Sequence, residues 1–211
     1  MLEREWDVGA GDRALDYVNS VEWRNSAQPV DHFTAYADVV SWGIAAGMTS
    51  SENGALMMDC AEKHPQKAKR SFHKIIRLRE SLARIFSSFA RGNALENADL
   101  DILNAHILEA QRASKLESSP GGIRWGWLIE EHHLDLILWS VALQATRLLT
   151  SDSIKRIGVC EDDRGCGYLF LDESKNQSRR WCTMASCGNR AKARRHYQKQ
   201  AKKQLKVKGT V

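Results

Sequence analysis

The sequence lacks any apolar run that is both long enough and free enough of charge to span a bilayer. Its first residues carry no secretory signal pattern either. Both absences predict a cytoplasmic chain, in which cysteines serve as thiols or metal ligands and not as disulfides. There is no glycine-rich phosphate loop, no nucleophile beside an evident base, and no ligand set that would leave a metal an open coordination position. An enzyme is therefore not expected. Acidic residues stop at Glu173, while twelve lysines and arginines follow it. A tail of +12 within a total of +5 leaves −7 on residues 1–173. An acidic body with a basic tail is the charge map of a module that meets a polyanion at one end. The 211 residues suffice for one mid-sized core plus a small appended module. No Gly/Ser-rich linker separates the two parts, so the tail module is expected to dock on the body.

What is present in the tail is cysteine. Four of the five cysteines form two close pairs, Cys160/Cys166 and Cys182/Cys187, separated by residues 167–181. Structural zinc takes four tetrahedral thiolate or imidazole ligands, usually delivered as two short-range pairs. Free core cysteines and a pair of disulfides are the alternatives. Neither explains why the pairs sit beside glycines and polar turn residues, so one structural Zn²⁺ held by the four thiolates is expected. His196, nine residues after Cys187, is a weaker substitute ligand. Cys60 stands alone in a helical segment and reads as packing.

The run Arg179-Arg180-Trp181-Cys182-Thr183-Met184-Ala185-Ser186-Cys187-Gly188-Asn189-Arg190-Ala191-Lys192 resembles the signature of the bacterial CGNR-type zinc fingers. The resemblance implies that the larger N-terminal part is an ABATE domain, from a family described as stress-induced transcription regulators whose DNA binding is inferred from the basic finger. Leu15-Asp16-Tyr17-Val18-Asn19-Ser20, Tyr36 to Trp42 and Arg77-Leu78-Arg79-Glu80 extend the resemblance over most of the chain, with less specific matches. The first cysteine pair has one more intervening residue than the family pattern, which bears on its loop and not on its ligands. Boundaries of 1–153 for the ABATE-like domain and 154–211 for the finger follow.

Local signals predict a mainly α fold: a helical N-terminal domain with a small β-hairpin, then a zinc-binding β-knuckle and a long basic helix. Asp12 can cap a first helix, and residues Glu22 to Asp31, with Pro29, read as a loop. A second helix runs from His32 or Thr34 to Ala46. A third, capped by Ser50 or Ser51, ends at His64-Pro65. The fourth, from about Gln66 to Ala90, carries an apolar stripe of Phe72, Ile75, Ile76, Leu82, Ala83 and Phe86. Arg79 falls on that stripe, and a buried guanidinium needs an acceptor. Two readings are open: a partner within the body, such as Asp16, the Glu80 neighbourhood or a helix C-terminus, or an anionic ligand held between Arg79 and Asn19. The first is favoured because buried charges are usually paired within the protein.

A fifth helix from about Asn97 to Arg112 precedes a hairpin around Pro120-Gly121-Gly122. Trp125 and Trp127 share one face of it by period two and read as cover for the core. From Glu131 to Leu149 the apolar residues go nearly all the way round, as in the buried centre of a bundle. His132 and His133 at its start read as capping or surface residues.

The last helix, about 18 to 21 residues or roughly 30 Å long, is the expected nucleic-acid element. The candidates on it and in the run just before it are Arg179, Arg180, Asn189, Arg190, Lys192, Arg194, Arg195, Lys199 and Lys202. Arginine and lysine serve phosphates, and arginine can also read guanine in the major groove. Asn189 and Arg190 lie nearest the metal end, as base contacts or as braces of the finger; Asn189 could simply cap, and Arg190 could pair with Asp172 or Glu173. About six phosphate contacts would give a salt slope near −5. Duplex DNA is the expected partner. A ligand sensor that binds a small anionic metabolite, or an RNA- or protein-binding adaptor, is the alternative; a small-molecule effector and a homodimer stay open.

Overall fold

The computed structural model describes residues 5–128 and 133–208; the side chains of residues 133 and 201–208 fall outside that description. In chain order the elements are α1 (Arg13–Val18), β1 (Val21–Glu22), β2 (Val30–Asp31), α2 (Tyr36–Ala45), α3 (Ser51–Lys63), α4 (Pro65–Arg91), α5 (Asn97–Ala113), β3 (Ser114–Ser119), β4 (Gly122–Trp127), α6 (Leu136–Leu149), β5 (Ile157–Val159), β6 (Leu169–Leu171) and α7 (Asn189–Lys208). The strands form three separate antiparallel ribbons, β1–β2, β3–β4 and β5–β6. The protein is mainly α, as its pattern predicts, and no helix among the described residues is long and apolar enough to cross a membrane.

α4 is the spine. Pro65 starts it at the one place where a missing N–H costs nothing, and Gly92 in the left-handed conformation closes it. Its stripe of Ile75, Leu78, Leu82 and Phe86 is fully buried. α6 lies at the centre, burying Ile137, Leu138, Val141, Ala142 and Ala145. Both faces of α6 meet apolar neighbours because it packs on α1, α4 and α5. Burial on this scale supplies the main driving force, at about 25 cal/mol per Å² of apolar surface removed from water.

Local caps fall where the sequence puts them. The Asp12 carboxylate accepts from the Ala14 N–H, and the Ser50 hydroxyl accepts from the Asn53 N–H. Three expectations need correction. Residues 22–31 are not wholly loop: Val21–Glu22 pairs with Val30–Asp31, closed by the His32 N–H donating to the Ser20 carbonyl. α6 begins at Leu136 after a 3₁₀ turn at His133–Asp135. The reason is that the Leu134 carbonyl is taken by the Tyr36 and Ser71 hydroxyls, and Asp135 by Ser71 and Lys74. His132 lies outside the described residues. In the β3–β4 hairpin, Trp127 stacks on Trp139 at 5.7 Å, but Trp125 is 68% exposed and covers no core.

Arg79 is buried in the middle of α4 and is fully partnered. Its guanidinium grips Asp31 at 2.7 and 2.6 Å and donates to Glu80 at 2.9 Å and to Ser20 at 3.2 Å. The chief partner comes from β2, not from Asp16. The Asp16 carboxylate instead accepts from the Ala10 N–H and from Arg13.

Candidate metal centre and basic helix

Residues 152–156 form a 3₁₀ turn that leads directly into β5. β5 pairs with β6 in the register Ile157↔Leu171, Gly158↔Phe170, Val159↔Leu169. The ribbon is fastened to the body by Asn19, which behaves like a piece of strand. Its side-chain amide donates to the Leu169 carbonyl at 2.8 Å, and its oxygen accepts from the Leu169 N–H at 2.9 Å. The Leu171 N–H also donates to the Ala10 carbonyl. The expected docking of the finger thus has a definite mechanism.

The first knuckle, Cys160 to Cys166, is shaped by Asp162. Its carboxylate accepts from the Arg164 N–H, and its carbonyl accepts from the Gly165 N–H. Gly165, at φ +88°, lies so close to the body that a Cβ there would come 2.5 Å from the Asn25 carbonyl oxygen. The loop of this knuckle leans on residues 23–26. Trp23, itself at φ +53°, receives the guanidinium groups of Arg164 at 4.9 Å and Arg190 at 5.3 Å over its ring.

The second knuckle runs through Thr183, whose hydroxyl caps a single π turn at Met184–Gly188 by accepting from the Ser186 N–H. That turn aims the Cys187 sulfur inward and feeds straight into α7. A side chain at Gly188 would collide with the Met184 sulfur at 2.7 Å.

The two knuckles bring the four cysteine sulfurs within 4.8 Å of one another. Cys166 and Cys182 are 3.8 Å apart, and Cys182 and Cys187 are 3.4 Å apart. All are thiols. A tetrahedral ion with metal–sulfur bonds of about 2.3 Å needs sulfur–sulfur edges of about 3.8 Å. Cys160 and Cys187 are buried against Phe170, so the cluster is also shielded. The Cys166 and Cys182 thiols donate to Cys160 and hold its pKa down to about 2. The charge they surround pushes Cys166 up to about 12 and raises Cys182 as well, while burial raises Cys187. A central divalent cation would favour the thiolate at all four positions. The residues present fit a four-sulfur metal-binding site.

The nine expected nucleic-acid residues separate into two groups. Arg179 lies over the Phe170 ring at 4.2 Å and donates to the carbonyls of Leu171, Trp181 and Cys182. Arg180 pairs with Glu161 at 2.5 Å, and Arg194 pairs with Asp163. Arg190 donates to Asp162 at 2.8 Å and to the Cys187 sulfur at 2.8 Å, so its partner is neither Asp172 nor Glu173. Asn189 donates to the Ala185 carbonyl at 3.2 Å and braces the π turn. These five knit the finger together. Lys192, Arg195 and Lys199 are exposed on α7 at three- and four-residue spacing, a single stripe. The Lys202 side chain lies outside the described residues. His196 is exposed and not in the sulfur cluster.

The other sequence candidates, Asn19 and Arg79, do not form a shared ligand site: one secures β6 and the other is held by Asp31. Residues that the sequence did not single out, Asp162 and Trp23, do much of the positioning. A faint signal existed for Asp162, an Asx-turn residue between two cysteines of one knuckle.

Two known families match the chain. A family model described as "Putative stress-induced transcription regulator", the ABATE domain, matches residues 11–152. A second, described as "CGNR zinc finger", matches residues 156–200. The chain matches no curated protein.

Proposed function

The chain belongs to the ABATE family and carries a CGNR zinc finger, and on that premise we propose that it regulates transcription by laying α7 against duplex DNA. One structural zinc ion, held by Cys160, Cys166, Cys182 and Cys187, would supply the positive charge that keeps four thiolates together. The observation that carries the reading is the placement of a basic stripe, Lys192, Arg195 and Lys199, with no carboxylate partner among the described residues, directly beyond the π turn that holds Cys187; Arg195 rests over the Trp181 ring at 5.6 Å. The protein's own residues do the rest. Arg190 ties the first turn of α7 to Asp162 in the opposite knuckle, and Asn189 braces the turn before it. The rod is therefore oriented before it meets its partner, which lowers the ordering cost of binding. Phosphate contact by lysine and arginine gives affinity with a strong salt dependence.

This is a binding role, with no catalysis assigned. Competition among duplex DNA, folded RNA and polyglutamate for the zinc-loaded protein tests it. Duplex DNA should displace both others at matched charge concentration. Equal or better competition by RNA or polyglutamate would favour an adaptor instead.

A further inference from the structure

A cleft of about 600 Å³ opens where the finger meets the body, within the size range of small-molecule sites. Its floor and walls come from both parts. Trp42 of α2 and Trp6 of the N-terminal lead face Tyr168 and the turns of Cys166 and Cys187. The cleft is therefore continuous with the shell of the metal centre.

Its charge has a clear sign. Glu5, Asp7 and Glu22 stand on the wall, Glu22 with the His32 ring 3.2 Å from its carboxylate, and Asp16 lies beneath them. Asp16 is already engaged by Arg13 and the Ala10 N–H. The two arginines that border the cleft are already engaged, Arg190 by Asp162 and the Cys187 sulfur, and Arg179 by three backbone carbonyls. An anion entering here would meet carboxylates, and the arginines at the border already hold partners of their own. A cation would meet carboxylates and aromatic faces together, the combination that recognises organic ammonium groups. The wall already shows this preference, since Trp23 carries two guanidinium groups over its ring.

A second observation bears on the ligand. Trp42 is 1% exposed, and its indole N–H has no acceptor among the described residues. Leaving such a donor buried and unpaired is costly. Trp42 borders the cleft, so an acceptor atom on a bound molecule could meet that need.

We propose that this cleft binds a small organic cation, an alkylammonium compound that also carries a hydrogen-bond-accepting oxygen. The sign is opposite to that of the anionic metabolite that the sequence brought to mind around Arg79. Because the cleft shares the Cys166 and Cys187 turns with the metal centre, its occupancy would be felt at the base of α7. The inference does not depend on α7 binding DNA, and its test contains no DNA.

The probe is choline, titrated into the zinc-loaded full chain and followed by thermal melting. Tetramethylammonium, neutral 3,3-dimethylbutan-1-ol, acetate and phosphate serve as comparisons at matched ionic strength. Choline should raise the melting temperature saturably, tetramethylammonium less so for want of an acceptor, and the neutral and anionic compounds not at all. The exposed pair Asp7→Asn/Glu22→Gln should melt like the parent when free and bind choline about tenfold more weakly, a difference of about 1.4 kcal/mol. Should the double variant melt early, Asp7→Asn alone carries the comparison. Equal shifts with the neutral isostere or the anions, no saturable shift with choline, or a variant that binds choline like the parent would overturn the proposal.

Discussion

Arg190 reaches from the first turn of α7 to Asp162 in the opposite knuckle, with Nε 2.8 Å from Oδ2, and its Nη2 also lies 2.8 Å from the Cys187 sulfur. One side chain thus bridges both cysteine pairs and the helix that follows them. Asp162 is nearly inaccessible, and it is compensated by Arg164 at 3.6 Å and by Arg190 at 2.8 Å. The carboxylate in turn fixes the guanidinium plane against Trp23.

Arg190→Ala should therefore weaken metal binding, although it removes no ligand. Loss of a partner that orients a metal ligand typically costs 10–100-fold in affinity. Chelator competition on the zinc-loaded protein measures this directly. Arg190→Lys should recover little, because a lysine cannot span Asp162 and Cys187 with a planar fork. Affinity equal to that of the parent would mean the bridge is incidental.

The Asp31–Arg79 pair predicts an asymmetry. Arg79 is 2% exposed, whereas the Asp31 side chain is 45% exposed. Asp31→Ala leaves a buried guanidinium with only Glu80 as a charged partner and should cost about 3 kcal/mol. Arg79→Met leaves carboxylates that water can reach and should cost about 1 kcal/mol. Urea midpoints for the two variants give the comparison, and a larger loss for Arg79→Met would contradict it.

Acid should act through the carboxylates that arginines hold down. Hydrogen bonds from Arg84 keep the Asp99 carboxyl below the usual carboxylate range. A lowered folded value means that the unfolded chain binds the proton more readily. The stabilisation is present above the unfolded value near pH 3.9 and is lost as pH falls through the lower folded value. Asp99→Asn should flatten the stability profile below about pH 4 and leave its slope near neutrality unchanged. Melting temperatures from pH 7 down to pH 3 check the sign.

The basic stripe predicts a salt signature. Each phosphate contact contributes about 0.9 to the slope of log affinity against log salt. Lys192→Gln, Arg195→Gln and Lys199→Gln together should reduce the slope by about 2.7. Arg179→Gln should act through finger stability instead, because its guanidinium is spent on backbone carbonyls. Comparing metal retention with salt slope in the two variants separates these effects.

Much of the fold is legible in the sequence wherever the cause is local. Asp12, Ser50 and Gly92 mark helix ends because capping involves residues one to four apart, and the cysteine pairs declare a metal centre because ligand chemistry constrains their spacing. Pairings set by the tertiary fold are not legible. Arg79 plainly needs an acceptor, yet nothing local designates Asp31, 48 residues away. Asn19 looks like a ligand-facing amide until β6 arrives beside it, 150 residues later. Basic residues around a metal centre read alike in sequence, and only their partners distinguish Arg180, Arg190 and Arg194, which hold the finger together, from Lys192 and Lys199, which face solvent. Trp125 misled for a related reason: period two gives the shared face of a strand pair but not what lies beneath each position.

The measurement closest to the central claim is metal content together with duplex DNA affinity at two salt concentrations, for the parent and for Cys182→Ser/Cys187→Ser. The parent should hold one zinc ion and bind DNA with a steep salt dependence, and the variant should lose both the ion and the binding. A metal-free variant that binds DNA as tightly as the parent would contradict the account, because the metal centre would then play no part in presenting α7.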